Sequence, residues 1–216
     1  MLCGRINSQP AAIIACTNRR GKMEKIITNP SSTTQWQSLV NEASQLCRIC
    51  LTEQLESYLV FLLMRFISSP QMTQKSMGIE FLTSINRTGS LRSLALRDVG
   101  DQCLLYSGLF PGRARRRLVK VSYYVNLGKS AYKSLAFTSK FSDSDLFYTL
   151  SNNFVNLMDI LQATREINNN SSMLDPLMAE ELWHDTGSEH ALHILQKFTV
   201  HSGVPIASQE QSEQKH

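Results

Sequence analysis

Between Thr34 and Phe198 the apolar residues return every three or four positions, and no run of strict alternation bounded by turn residues interrupts them. A 3.6-residue period lays a stripe along a helix, whereas a half-buried strand needs period two. The chain is therefore expected to be all-α. Its connections of two to eight residues favour antiparallel neighbours, which predicts a single helical bundle of six or seven helices over residues 31–199.

Capping and breaking signals divide that stretch. "TNPSSTT" (28–34) supplies hydroxyl caps for a helix from Thr34 to Ser68, with Trp36, Leu39, Val40, Ala43 and Leu46 in its stripe. Ser69-Pro70 ends it, because the residue before proline avoids the helical region. A second helix is read from Gln71 to Asn86 and a third from Ser90 to Phe110, where Pro111-Gly112 breaks the chain. A fourth runs from Arg113 to Thr138, and a fifth follows "SDSD" (142–145). A sixth starts at Pro176 behind the cap Asp175, and a seventh runs from Gly187 to Phe198.

The two ends are read differently. Residues 1–30 show no periodicity and are expected to be disordered, or an extension ahead of an alternative start at Met23. "AAIIAC" (11–16) ends like a bacterial lipoprotein cleavage box at Cys16. Only Arg5 precedes it, however, and the apolar run is about half a signal core. Residues 200–216 read as a polar, disordered tail. The longest apolar run, "YLVFLLMRFI" (58–67), contains Arg65 and has half of the roughly 20 residues a membrane span needs. No membrane contact is expected.

With 216 residues, 42% apolar and 19% charged, the chain can bury a core without staples. Five cysteines is an odd number for a disulfide framework, so a reducing, cytoplasmic setting is expected.

The formal charge of +4 is small, but its placement is uneven. Residues 112–142 hold eight Lys or Arg and no acid, while 143–189 hold nine acids and one base, Arg165. On a helix over 113–140, Leu118, Val121, Val125, Gly128, Tyr132, Leu135 and Ala136 share an apolar face. The cations Arg113, Arg115, Arg116, Arg117, Lys120, Lys129 and Lys133 are the anion-binding candidates. Either they meet the acidic helices in an internal charge match, or they face phosphate on nucleic acid. Tyr123 and Tyr124 lie off the cationic row, unlike the interleaved aromatic platforms of a single-strand binder. Internal pairing is the favoured expectation.

The block "LRDVGDQCLLYSGLFPGRARRRLVKVSYYVNLGKSAY" (96–132) resembles the central segment of a family of uncharacterised proteobacterial helical proteins. The likeness covers the middle third of the chain, and residues 34–165 more loosely. It implies a bacterial, intracellular, helical protein and carries over no functional residue.

Asp98 and Asp101 lie one turn apart on the helix before the cationic run. A hairpin at Pro111-Gly112 would bring them to a cation or a tyrosine hydroxyl. With Tyr106, Tyr124 and Tyr132 they form the ligand-site candidate. Cys47-Arg-Ile-Cys50 falls mid-helix on an apolar face, where two small core residues are expected in place of a redox or zinc site. Glu181 and His184 have the Glu-x-x-His spacing of di-iron bundles, but a single copy is an incomplete set. His190 and His193 with Glu189 are equally unsupported, and no cofactor is expected. The functional expectation is a non-enzymatic module acting through protein contact, homodimerisation included. The alternatives are a small-ligand or metal-dependent enzyme with a site inside the bundle, and a nucleic-acid accessory protein using residues 113–140.

Overall fold

A computed structural model describes residues 30–68, 76–138, 141–169 and 174–202. The expected N-terminal extension, Cys16, Met23 and residues 203–216 lie outside that description. Among the described residues there are ten helices and no strand. They are α1 (Pro30–Cys47), α2 (Glu53–Ser68), α3 (Met77–Ile85), α4 (Gly89–Leu109), α5 (Pro111–Arg116), α6 (Val121–Thr138), α7 (Phe141–Asn152), α8 (Phe154–Asn169), α9 (Pro176–Thr186) and α10 (Glu189–Ser202). The last helix runs through Ser202, past the expected start of the tail at residue 200.

Ten replace seven because three expected helices are each divided. The first break falls at Arg48, which takes the left-handed φ of 57°. Arg48 N–H donates to the Gln45 carbonyl and Ile49 N–H to the Ser44 carbonyl, closing a Schellman cap on α1. Cys47 is therefore the last residue of a helix and Cys50 an exposed linker residue, not two residues of one mid-helix face. The second break, at Leu118 with φ 55°, caps α5 in the same way, with Val119 N–H donating to the Ala114 carbonyl. Leu118 consequently leaves the apolar stripe assigned to it and is 94% exposed. The third is a bend. Asn153 N–H still reaches the Thr149 carbonyl, and the Asn153 carbonyl still receives Leu157 N–H.

Other boundaries follow the local chemistry. Asp175 accepts from Met178 N–H at 2.9 Å at the start of α9, Pro176 occupies its first turn, and Gly187 closes it in the left-handed region.

The centre of the fold is α4. Every residue from Val99 to Leu109 is buried, as expected of a helix walled in on all sides. It packs on α3, α6 and α8, while α1 lies on α2 and α8, and α9 lies on α10 and α6. Glycines permit this closeness. A Cβ at Gly128 would sit 2.4 Å from the Phe154 ring and 2.9 Å from Cys103 Cβ, one at Gly100 would sit 2.5 Å from the Tyr132 ring, and one at Gly108 would sit 2.5 Å from Leu161 Cβ. The rest of the α6 stripe, Val121, Val125, Tyr132, Leu135 and Ala136, is buried as its spacing predicts.

Overpacking a filled core costs about 1–3 kcal/mol. Gly128→Ala should lose that much in urea unfolding with an unchanged m-value, since the rings of a packed interior have little room to give.

Candidate functional site

The middle of α4 carries a carboxylate that is 1% exposed, that of Asp101. Two phenols donate to one of its oxygens: Tyr132 from α6 at 2.7 Å and Tyr58 from α2 at 2.5 Å. Arg65 Nη2, also from α2, donates to the other oxygen at 2.5 Å and lies 3.4 Å from Asp98. Arg97, one turn before Asp101, places Nε 3.8 Å from that second oxygen and its guanidinium 5.4 Å from the centre of the Tyr58 ring. Local sequence makes this possible. Tyr58 and Arg65 are two turns apart and share a face of α2. Arg97 and Asp101 have i,i+4 spacing, and Gly100 lets the Tyr132 ring lie against the α4 backbone.

Burial raises the Asp101 carboxyl above the ordinary carboxylate range, while Arg65, the Tyr132 and Tyr58 hydroxyls and Arg97 draw it back. Burial, and then the adjacent Asp101 charge, hold both phenols above their usual value. They stay protonated, so they serve as donors and not as bases. The arrangement can bind charge internally and fix three helices in register.

Of the sequence-predicted ligand residues, Asp98, Asp101 and Tyr132 meet here. Tyr106 and Tyr124 form a separate pair, stacked at 5.2 Å, with the Arg117 guanidinium 5.6 Å from the Tyr106 ring centre. Sequence reasoning missed Tyr58, Arg65 and Arg97. The available signal was Arg65 itself, since a cation in an otherwise apolar run requires a partner within reach of its stem.

The cationic candidates are dispersed among several kinds of neighbour. Arg113 lies over the Phe110 ring at 4.6 Å. Arg116 is exposed at the end of α5, and the side chain of Arg115 lies outside the described residues. Lys129 and Lys133 are on α6, Lys133 exposed. The basic and acidic segments do adjoin, because α6 packs on α7, α8 and α9. Lys120 joins the two by charge, lying 3.4 Å from Asp185 and 3.9 Å from Glu181. Ser122 donates to the same Asp185 at 2.8 Å and is the main influence holding that carboxyl below its usual value. Arg165, the one base of the acidic segment, donates to the Leu109 carbonyl.

The metal candidates have other neighbours too. Glu181 reaches Lys120, while His184 lies 3.4 Å from Asp185. His190 sits between Glu166, 3.2 Å from Nε2, and the Cys47 thiol, 4.0 Å from Nδ1. Among the described residues no group of three or more His, Cys, Asp or Glu is arranged to hold a metal ion. Burial, reinforced by Asp159 and Glu166, pushes the Cys47 thiol up to about 12. At neutral pH it is a thiol, donating to the Asp159 carbonyl at 3.6 Å.

A second buried carboxylate, Asp159 of α8, holds the start of α10. It accepts from Ser188 Oγ at 2.7 Å and His190 N–H at 3.3 Å, and Ser188 Oγ in turn accepts Ala191 N–H. Burial raises the Asp159 carboxyl to about 6, against the pull of Ser188 and His190.

No helix among the described residues is long and apolar enough to cross a membrane. Comparison with protein-family models, with curated proteins and with solved structures gives no match.

Two tests follow from these clusters. Tyr132→Phe removes one donor from a carboxylate that keeps its others and should cost about 1–2 kcal/mol. Asp101→Ala strands two phenols and a guanidinium and should cost on the order of 3–5 kcal/mol, both read by chemical denaturation. For Asp159 the native state holds a proton between the ordinary 3.8 and about 6 that the unfolded chain has lost. Stability therefore falls as pH rises through that window. The gap, at about 1.4 kcal/mol per pH unit, is worth about 3 kcal/mol. Relative to Asp159→Asn, the native chain should gain roughly that amount as pH is lowered from about 7 to 4, and show a flat difference above about 7.

Proposed function

We propose that this chain is a non-enzymatic helical module that acts by protein contact, and that its contact surface is the outer face of α3 with the first turns of α4. The observation that carries this reading is the placement of aliphatic side chains there. Ile79 and Leu82 on α3, and Leu91 and Leu94 on α4, are 59–66% exposed, with Ile85 between them at 38%. The two helices pack on one another and are joined by residues 86–88 alone. Scattered exposed leucines need no explanation. Five large aliphatic residues at i,i+3 spacing on adjoining helices form the kind of apolar surface that marks an interaction site. Such a face suits an amphipathic partner helix, whose i,i+3,i+4 anchors would lie between the two rows.

The buried Asp101 centre supports the non-enzymatic part of the reading. Both carboxylate oxygens accept from neighbouring side chains, and its phenols are held protonated. We place the module in a reducing, bacterial cytoplasm, a reading supported by free thiols at Cys47, Cys50 and Cys103 and by the resemblance of residues 96–132.

A photo-crosslinking residue at position 82 or 91, in cells producing the full chain, should give a discrete protein adduct that a probe at exposed Ser130 on α6 does not. Equal labelling from all three positions, or none from 79, 82, 91 and 94, would overturn the assignment. Leu82→Asp should abolish the adduct and leave stability within about 0.5 kcal/mol, as for an ordinary surface substitution.

A further inference from the structure

The turn between α5 and α6 combines two features that are unusual together in a leucine. Leu118 adopts φ 55°, a conformation that favours glycine, and its side chain is 94% exposed. Glycine at this position would close the same cap without strain and without apolar surface in water. A residue that is unfavourable in both backbone and solvation points to a use outside the fold.

Beside it lies a hole. A cavity of about 280 Å³ opens between the turn and α9, floored by Ala114, Val119, Val121 and Met178, with Leu118 and Leu177 at its margin. Leu177 is itself 62% exposed. Knob and hole thus occur on one face of one chain, side by side. The charged residues lining the cavity divide by sign, with Lys120 on the turn and Asp175 and Glu181 on the α9 side. Arg116, exposed on α5, and Glu180, exposed on α9, extend the two strips.

We infer that this face binds a second copy of the chain, forming a two-fold symmetric dimer in which Leu118 of each protomer fills the cavity of the other. Because Leu118 stands at the margin of the cavity it would fill, a two-fold axis running along the groove satisfies both knobs at once and closes the assembly at two. The same axis carries the basic strip of one copy, Arg116 and Lys120, over the acidic α9 strip of the other, so opposite charges meet at both rims. An unrelated partner would need to supply a matching knob, hole and split of charge, whereas a second copy has all three. The surface is distinct from that of α3 and α4, so the dimer stands or falls independently of the contact proposed there.

Sedimentation velocity on the full chain over a range of concentrations tests it. The expected result is a monomer–dimer equilibrium that Leu118→Asp weakens at least tenfold, with an unchanged helical circular-dichroism spectrum. Leu118→Gly provides the second arm. It should weaken association comparably while raising Tm, because it removes the knob and relieves the backbone together. Ile79→Asp with Leu82→Asp should leave the equilibrium where it was. A native chain that stays monomeric at its highest soluble concentration would overturn the proposal. So would a dimer that survives both Leu118 variants, or one that dissociates only with the α3 substitutions.

Discussion

An ionisable group taken out of water and left alone costs several kcal/mol, and Asp101 is such a group within the fully buried stretch of α4. Its position is tolerable only while Tyr58, Tyr132 and Arg65 remain within hydrogen-bond distance. Those three come from α2 and α6. A register shift of one turn in either helix would withdraw a donor and leave the charge exposed to a low dielectric. The network therefore acts less as a source of net stability than as a penalty on every alternative packing of α2 and α6 against α4. Arg65 keeps its outer end near solvent and Asp98, so only one side of the pair is fully desolvated.

Packing around α4 agrees with this role. Gly100 admits the Tyr132 ring against the helix backbone, which is what carries the phenol to the carboxylate, and Gly128 admits Phe154 and Cys103. The same close approach joins α6 to α4 and α8, so the polar centre and the apolar core are positioned by the same contacts. Asp159 repeats the device at smaller scale, fixing the start of α10 through Ser188 and the His190 amide. In both places a carboxylate in the core serves backbone or side-chain donors from another helix.

Much of this was legible in the sequence, for reasons that can be named. The helical period has no competitor in the chain, and Asp175, Pro176 and Gly187 carry unambiguous chemistry, so α9 is found nearly to the residue. The stripe from Val121 to Ala136 holds because one helix face really is buried. The breaks at Arg48 and Leu118 were illegible because both left-handed caps lack the glycine that would announce them. Carrying one helix through Leu118 put it in the core and set the cations of α5 on the same wheel as those of α6. The basic and acidic segments adjoin, and Lys120 pairs with Asp185 and Glu181 across them, while Arg113 and Arg117 lie over aromatic rings. Asp101 and Tyr132 were identified, but their partners on α2 were not, because pairing across forty residues leaves no local pattern. Only the lone cation within the apolar run hinted at it.

What the fold offers outward is separate from what it fixes inward. The charged groups of the core are committed to one another, and exposed aliphatic residues lie at the periphery, on α3, early α4 and the turn at Leu118 among other places. That division rests on the claim that Asp101 and Arg65 act as one unit in choosing how α2 meets α4. A double-mutant cycle with Arg65→Met and Asp101→Leu, followed by chemical unfolding, measures it directly. The account predicts strong coupling, with the double variant losing well under the sum of the single losses because neither charge is left alone. Losses that simply add would show that the two side chains contribute independently, and would contradict it.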